Sequence, residues 1–91
     1  MKTVHKFTIP YLATTHKAFS LERSDPIRHV ALDPQSNGVI ALWVEVDPNS
    51  EYRVTRHFRV IGTGHPIPEG GKFVGTVIDG HIVLHVFEVP V

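Results

Sequence analysis

The densest set of ligand-competent groups in this chain is the run Gly62-Thr63-Gly64-His65-Pro66-Ile67-Pro68. Glycine reaches backbone conformations in which successive N–H groups converge, so Gly62, Thr63 and Gly64 can form a nest for an anion. His65 and Ile67 each precede a proline, which holds them extended and makes the segment stiff. A stiff loop carrying amides and an imidazole loses little entropy on binding. The same glycines and prolines also serve as plain punctuation between strands, and both readings stand at this stage. The Gly-x-Gly lacks the third glycine and following helix of a dinucleotide fingerprint.

A basic ladder, Arg53, Arg56 and Arg59, leads directly into this loop. In a strand, Arg53, Thr55, His57 and Arg59 point the same way, a strip that can bind phosphate through guanidinium forks. The alternative is a solvated or interface-paired face balanced by Glu45, Asp47 and Glu51. Trp43, Tyr52 and Phe87 are the aromatic side chains able to stack on a base beside such a strip.

Other chemistries find less support. The chain has seven histidines, but His81 and His85, on one strand face, stand about 13 Å apart and cannot chelate one ion. Nothing in the spacing of His29, His57 and His65 brings them together, so no metal site is expected. There is no cysteine, which excludes thiolate ligands and disulfides. There is no Gly-x-Ser-x-Gly elbow. The serines at 20, 24, 36 and 50 have no paired histidine, and Asp25, Asp33, Asp47 and Asp79 fall in turns. No catalytic residue and no cofactor is expected.

The elements that must position these groups all have period two. Strand patterns cover Thr3–Ile9, Ile27–Asp33, Val39–Asp47, Glu51–Ile61, Phe73–Ile78 and His81–Val89. Between residues 11 and 24 only Lys17–Glu22 reads as a short strand, with a helical turn as the alternative. Asp79-Gly80 predicts a hairpin pairing Ile78 with His81, Val77 with Ile82, Gly75 with Leu84 and Phe73 with Val86. Its core face is then Phe73, Gly75, Val77, Ile82, Leu84 and Val86, and its second face is mixed. Asp47-Pro48-Asn49-Ser50 has type I turn chemistry. It predicts a further hairpin with Val39, Ala41, Trp43, Tyr52, Val54 and Phe58 on the core face, and a slip of one residue exchanges the faces. The expected fold is all-β, one domain over residues 1–91, an antiparallel meander of six or seven strands forming a sandwich or a partly open barrel.

Composition bounds the function. A chain of 91 residues buries only roughly 60–65% of its unfolded surface, so a homo-oligomer is a natural way to cover the mixed strand faces. No apolar run approaches a membrane span, and the alternating N-terminus does not suit a signal peptide; a cytoplasmic protein is expected. Nine Lys+Arg balance nine Asp+Glu, without the basic excess of a dedicated nucleic-acid binder, so no long nucleic acid is expected as partner.

The segments Met1-Lys2-Thr3-Val4-His5-Lys6-Phe7, Ala41-Leu42-Trp43, Val46-Asp47-Pro48, Ile61–Pro68, Gly75-Thr76 and His85-Val86-Phe87-Glu88 together resemble a family of short proteins encoded by bacteriophages and prophages. The resemblance covers nearly the whole chain and is most specific at Gly-Thr-Gly-His-Pro-Ile-Pro; Thr14–Ser24 departs from it. It implies an accessory protein of the host cytosol that binds host components, and it brings no catalytic residues. The leading expectation is a non-catalytic homo-oligomer that sequesters a small anionic ligand, a nucleotide-derived host immune signal. Gly62, Thr63, Gly64, His65, Pro66, Arg53, His57, Arg59 and Trp43 are its candidate contacts. Two rivals remain. One is a protein–protein inhibitor or interaction module acting on a host protein through the mixed faces. The other is a small hydrolase or lyase acting on a nucleotide, with His65 or His57 as base and Arg59 stabilising an anion.

Overall fold

The alternation of β-branched and polar residues produces seven strands in a computed structural model that describes residues 1–90. They are β1 Thr3–Ile9, β2 His16–Glu22, β3 Ile27–Leu32, β4 Ile40–Val46, β5 Arg53–Gly62, β6 Lys72–Asp79 and β7 Ile82–Val89. The fold is all-β and antiparallel as expected, with no helix among the described residues. Within the 11–24 segment, the strand alternative holds. A turn in which the Ala13 and Thr14 N–H groups both donate to the Pro10 carbonyl (2.9 and 3.0 Å) precedes β2.

The strands form two sheets, β1-β4-β3 and β2-β5-β7-β6, packed face to face without closing into a barrel. The meander is realised in the β3–β4 and β6–β7 hairpins; the other neighbours, β1–β4, β2–β5 and β5–β7, are joined by crossings between strands distant in the chain. The core lies between the sheets. Ile40, Leu42, Val44 and Val46 of β4 meet Phe58 and Val60 of β5, together with Val77, Leu84 and Val86. Along one side the sheets approach so closely that a Cβ at Gly75 on β6 would stand 2.9 Å from Cβ of Val30 on β3.

Two predicted hairpins are corrected. At Asp47–Ser50 the turn itself forms, with Ser50 N–H donating to the Asp47 carbonyl at 3.1 Å and Asn49 N–H to Asp47 Oδ1 at 3.0 Å. It nevertheless carries the chain from one sheet to the other, so β4 and β5 do not pair. The core face of β4 is therefore the opposite parity to the one predicted. Ile40, Leu42 and Val44 are fully buried, whereas Tyr52 is 81% exposed. Turn chemistry dictates four residues; it leaves open which sheet the next strand joins.

In the C-terminal hairpin Asp79 pairs with Ile82 and Val77 with Leu84, so from Gly75 to Ile78 each partner lies two residues beyond the predicted one, and at Phe73, past a bulge, one residue beyond. The central turn residues are Gly80, with φ +60°, and His81, with negative φ. This is the type II′ arrangement, with glycine first. A shift of two keeps side chains on their faces, and Val77, Leu84 and Val86 are core as expected, whereas Ile82, beside the turn, is 50% exposed. A bulge between Phe73 and Gly75 then turns Phe73 outward beside Phe87, their ring centroids 5.7 Å apart.

Candidate functional site

Strand β5 runs to Gly62, where the chain leaves the sheet and folds back. The His65 N–H donates to the Gly62 carbonyl at 3.1 Å, and the Thr63 N–H reaches the Val83 carbonyl at 3.3 Å. Gly64 takes φ +90°, a conformation that favours glycine. The His65 ring lies over Gly62, its Cδ2 only 3.4 Å from where a Cβ at that position would stand. Gly71 N–H closes the loop's far end on the Pro68 carbonyl at 3.0 Å.

Between this loop and the outer face of the four-stranded sheet is a concavity of about 260 Å³. Ile61, Ile67 and Phe87 supply its apolar surface, with Gly62 and Gly64 in the loop wall and Thr63, His65 and His85 as its polar side chains. His85 is anchored on both sides: Nε2 is 2.9 Å from Thr63 Oγ1 and Nδ1 is 2.9 Å from Thr76 Oγ1. Thr63 Oγ1 also reaches the Val83 carbonyl at 3.3 Å. If that hydroxyl donates to the carbonyl, His85 Nε2–H donates to Thr63 and the Thr76 hydroxyl donates to Nδ1, an assignment made from the hydrogen-bond network. Segments far apart in the chain thus meet on one surface.

The structure sorts the residues singled out from sequence. Gly62, Thr63, Gly64 and His65 line the concavity together, with Pro66 exposed in the same loop. Arg59 is exposed on the outer face, register-paired with Phe87. It forms no ion pair among the described residues. Arg53 does share this face, but it stands six residues from Arg59, about 20 Å along a strand. Its guanidinium is tied to the β4–β5 turn, donating to the Ser50 and Pro48 carbonyls at 3.3 and 3.2 Å. His57 pairs with Val89 in register and its ring meets His16 rather than the loop. Trp43 belongs to the three-stranded sheet, against His29 at 5.6 Å between centroids. Phe87 is therefore the aromatic side chain of the site, and the strip does not act as one unit.

His85 is the member that sequence reasoning missed. Its alternation with Phe87 was visible, but the two-residue error in hairpin register placed Val74, not Thr76, opposite it. The correct turn, with Gly80 at its first central position, would have revealed the Thr76 partner.

A second concavity, about 420 Å³, lies beside Arg23, Arg56, Lys72 and Glu88. Arg56 has the opposite parity to Arg53 and Arg59 and points inward. It donates to both Glu88 oxygens (2.8 and 2.7 Å) and to the Glu22 and Asp25 carbonyls (3.1 and 2.7 Å). Its donors are almost fully engaged within the fold, so this larger cleft is built around a structural pair. Nearby, buried Asp25 accepts the Glu22 N–H at 2.9 Å, while its other carboxylate oxygen has no partner.

The shifted titrations lie away from the loop. Tyr11 is raised because its hydroxyl donates to the Asp79 carboxylate. Asp33 is lowered because its carboxylate accepts the Gln35 N–H and the Lys6 ammonium. Among the described residues no three His, Asp or Glu side chains gather as metal ligands.

The chain matches, over residues 1–91, the family described as Domain of unknown function (DUF7352). No curated protein and no solved structure matches it.

Proposed function

The chain belongs to that family of domains of unknown function, and from its own surfaces we propose that it is a non-catalytic binding protein that sequesters a small anionic ligand of the nucleotide class. The observation that carries this reading is the loop folded back over the sheet, leaving an apolar concavity edged by His65, His85 and Thr63. Ligand pockets commonly span about 300–1,000 Å³, with apolar walls and a few placed polar groups. At about 260 Å³ this one suits a single planar ring set against Ile61, Ile67 and the edge of the largely buried Phe87, with the charged remainder extending across the exposed face toward Arg59.

A ligand held so openly gains from a second copy covering the face. Exposed Phe73 and Ile67, 61% and 60% accessible, supply apolar surface for that contact, so the reading includes a homo-oligomer. The likeness to short phage and prophage proteins supports an accessory role in an infected cell, with a nucleotide-derived host signal as ligand.

Calorimetry against a panel of linear and cyclic nucleotides tests the proposal. The expected result is saturable binding tighter than about 100 μM, weakened at least about tenfold, or about 1.4 kcal/mol, in Arg59→Ala and in His65→Ala. Failure of every nucleotide to bind at that level rejects it. The exposed apolar residues Phe73, Ile67 and Ile78 favour a second reading, a module docking on a host protein. A stoichiometric protein complex lost on Phe73→Ser, together with no nucleotide binding, would select that reading.

A further inference from the structure

Away from the loop, the outer face of the four-stranded sheet carries another pair of imidazoles. His16 on β2 is register-paired with Arg59, and His57 on β5 with Ala18, so the two histidines occupy diagonal positions on one face. His16 Nε2 stands 3.1 Å from His57 Nδ1, and the ring centroids are 5.2 Å apart with planes inclined by 31°. A neutral imidazole has one N–H and one bare nitrogen, so a single proton lies between the facing nitrogens.

This is also close to the geometry of two imidazoles on one tetrahedral ion. With zinc–nitrogen bonds of about 2.0–2.1 Å, two such ligands hold their nitrogens about 3.3–3.4 Å apart and their centroids about 5.2 Å apart. Opening the pair by a few tenths of an ångström would admit the ion. Neighbouring strands supply both ligands at fixed register, so little order has to be created on binding.

We propose that His16 and His57 form a two-histidine site for a divalent transition ion of the zinc, nickel or copper class, with water filling the remaining positions. The proton balance is simple. The ring that donates in the free pair moves its proton to its outward nitrogen, leaving His16 protonated at Nδ1 and His57 at Nε2, with both inner nitrogens bound to the ion. A neutral pair therefore releases no proton, whereas a protonated one must, and acid opposes binding. The Arg59 charge beside His16 weakens the site, and two protein ligands make it weaker than a closed four-ligand centre.

The test is a zinc chloride titration of the full chain, free of any affinity tag, at neutral pH. Calorimetry is paired with nitrogen-detected spectra of the histidine rings. The expected result is saturable binding of one ion that moves the His16 and His57 ring signals first. That binding is lost in His16→Ala and in His57→Ala, is lost at pH 5, and persists in His65→Ala and His81→Ala. His57→Gln repeats the loss if alanine weakens the sheet. Absence of saturable binding, or binding that survives both the His16 and His57 substitutions, overturns the proposal.

Discussion

Arg56 and Arg59 lie three residues apart on β5 and meet opposite fates. Arg56 points inward, and its guanidinium is held by Glu88 and two backbone carbonyls. Arg59 points outward beside Phe87, exposed and without an ion pair among the described residues. The cleft at Arg56 is the larger, yet Arg56 itself is already matched by Glu88, and the other cations beside it, Arg23 and Lys72, are exposed at its rim. The loop concavity is smaller, but its apolar surface and the nearby Arg59 leave recognition capacity unused. On one strand, then, side-chain parity decides whether a guanidinium is spent on the fold or left at the surface for a ligand.

The largest effect that can break this comparison is expected at Arg56. Removing one member of a buried ion pair costs about 3–5 kcal/mol. The Arg56 and Glu88 side chains are 10% and 26% exposed, so Arg56→Met should cost about 2–4 kcal/mol in denaturant unfolding. Adding Glu88→Leu should restore much of it. A loss below 0.5 kcal/mol, within the ordinary range of about ±0.5 for surface substitutions, would show that Arg56 is as dispensable structurally as Arg59.

Next comes the close approach of the two sheets at β3 and β6. Gly75→Ala places a Cβ 2.9 Å from Cβ of Val30, an overpacking expected to cost about 1–3 kcal/mol. Val30→Gly in the same chain removes that Cβ together with the Cγ2 at 3.1 Å and should relieve part of the overpacking, and a double-mutant cycle with no coupling would contradict the close contact. Thr76→Val removes a partner of His85 Nδ1. Because water reaches this site, the expected loss is smaller, about 0.5–1 kcal/mol. It should be accompanied by a changed His85 tautomer or ring signal, and an unmoved signal would dissolve the proposed hydrogen-bond chain. Smallest of all is Arg59→Ala, whose unfolding free energy should stay within about 0.5 kcal/mol of the parent. If Arg59→Ala instead unfolds the domain, the two arginines are not opposites.

Much of the architecture was legible because alternation is local. Thr3–Ile9, Lys17–Glu22 and the C-terminal strands carry their period within a few residues, and a two-residue register shift preserves faces. The β4–β5 hairpin was not legible. Asp47-Pro48-Asn49-Ser50 has the chemistry of its turn, but whether β5 pairs with β4 or with β2 and β7 is decided by distant partners. That one choice moved Trp43 to the other sheet and reversed the buried face of β4. At the site, the loop residues were recognisable from glycine and proline spacing. His85 was not, since its link to Thr76 depends on a turn whose glycine sits one place earlier than expected.

An all-β chain, its strand segments and the opposite orientations of neighbouring residues on β5 follow from the order of residues alone, because backbone sterics and period-two geometry act over a few residues. The same order also determined a stiff loop at Gly62–Pro68, through the φ freedom of glycine and the constraint of proline. Long-range strand pairing was needed for Arg56 to meet Glu88, for His85 to anchor the loop, and for His16 to face His57. Those outcomes depend on strand pairing across long separations, where the burial of one sheet against another selects among registers that local preferences leave nearly equal.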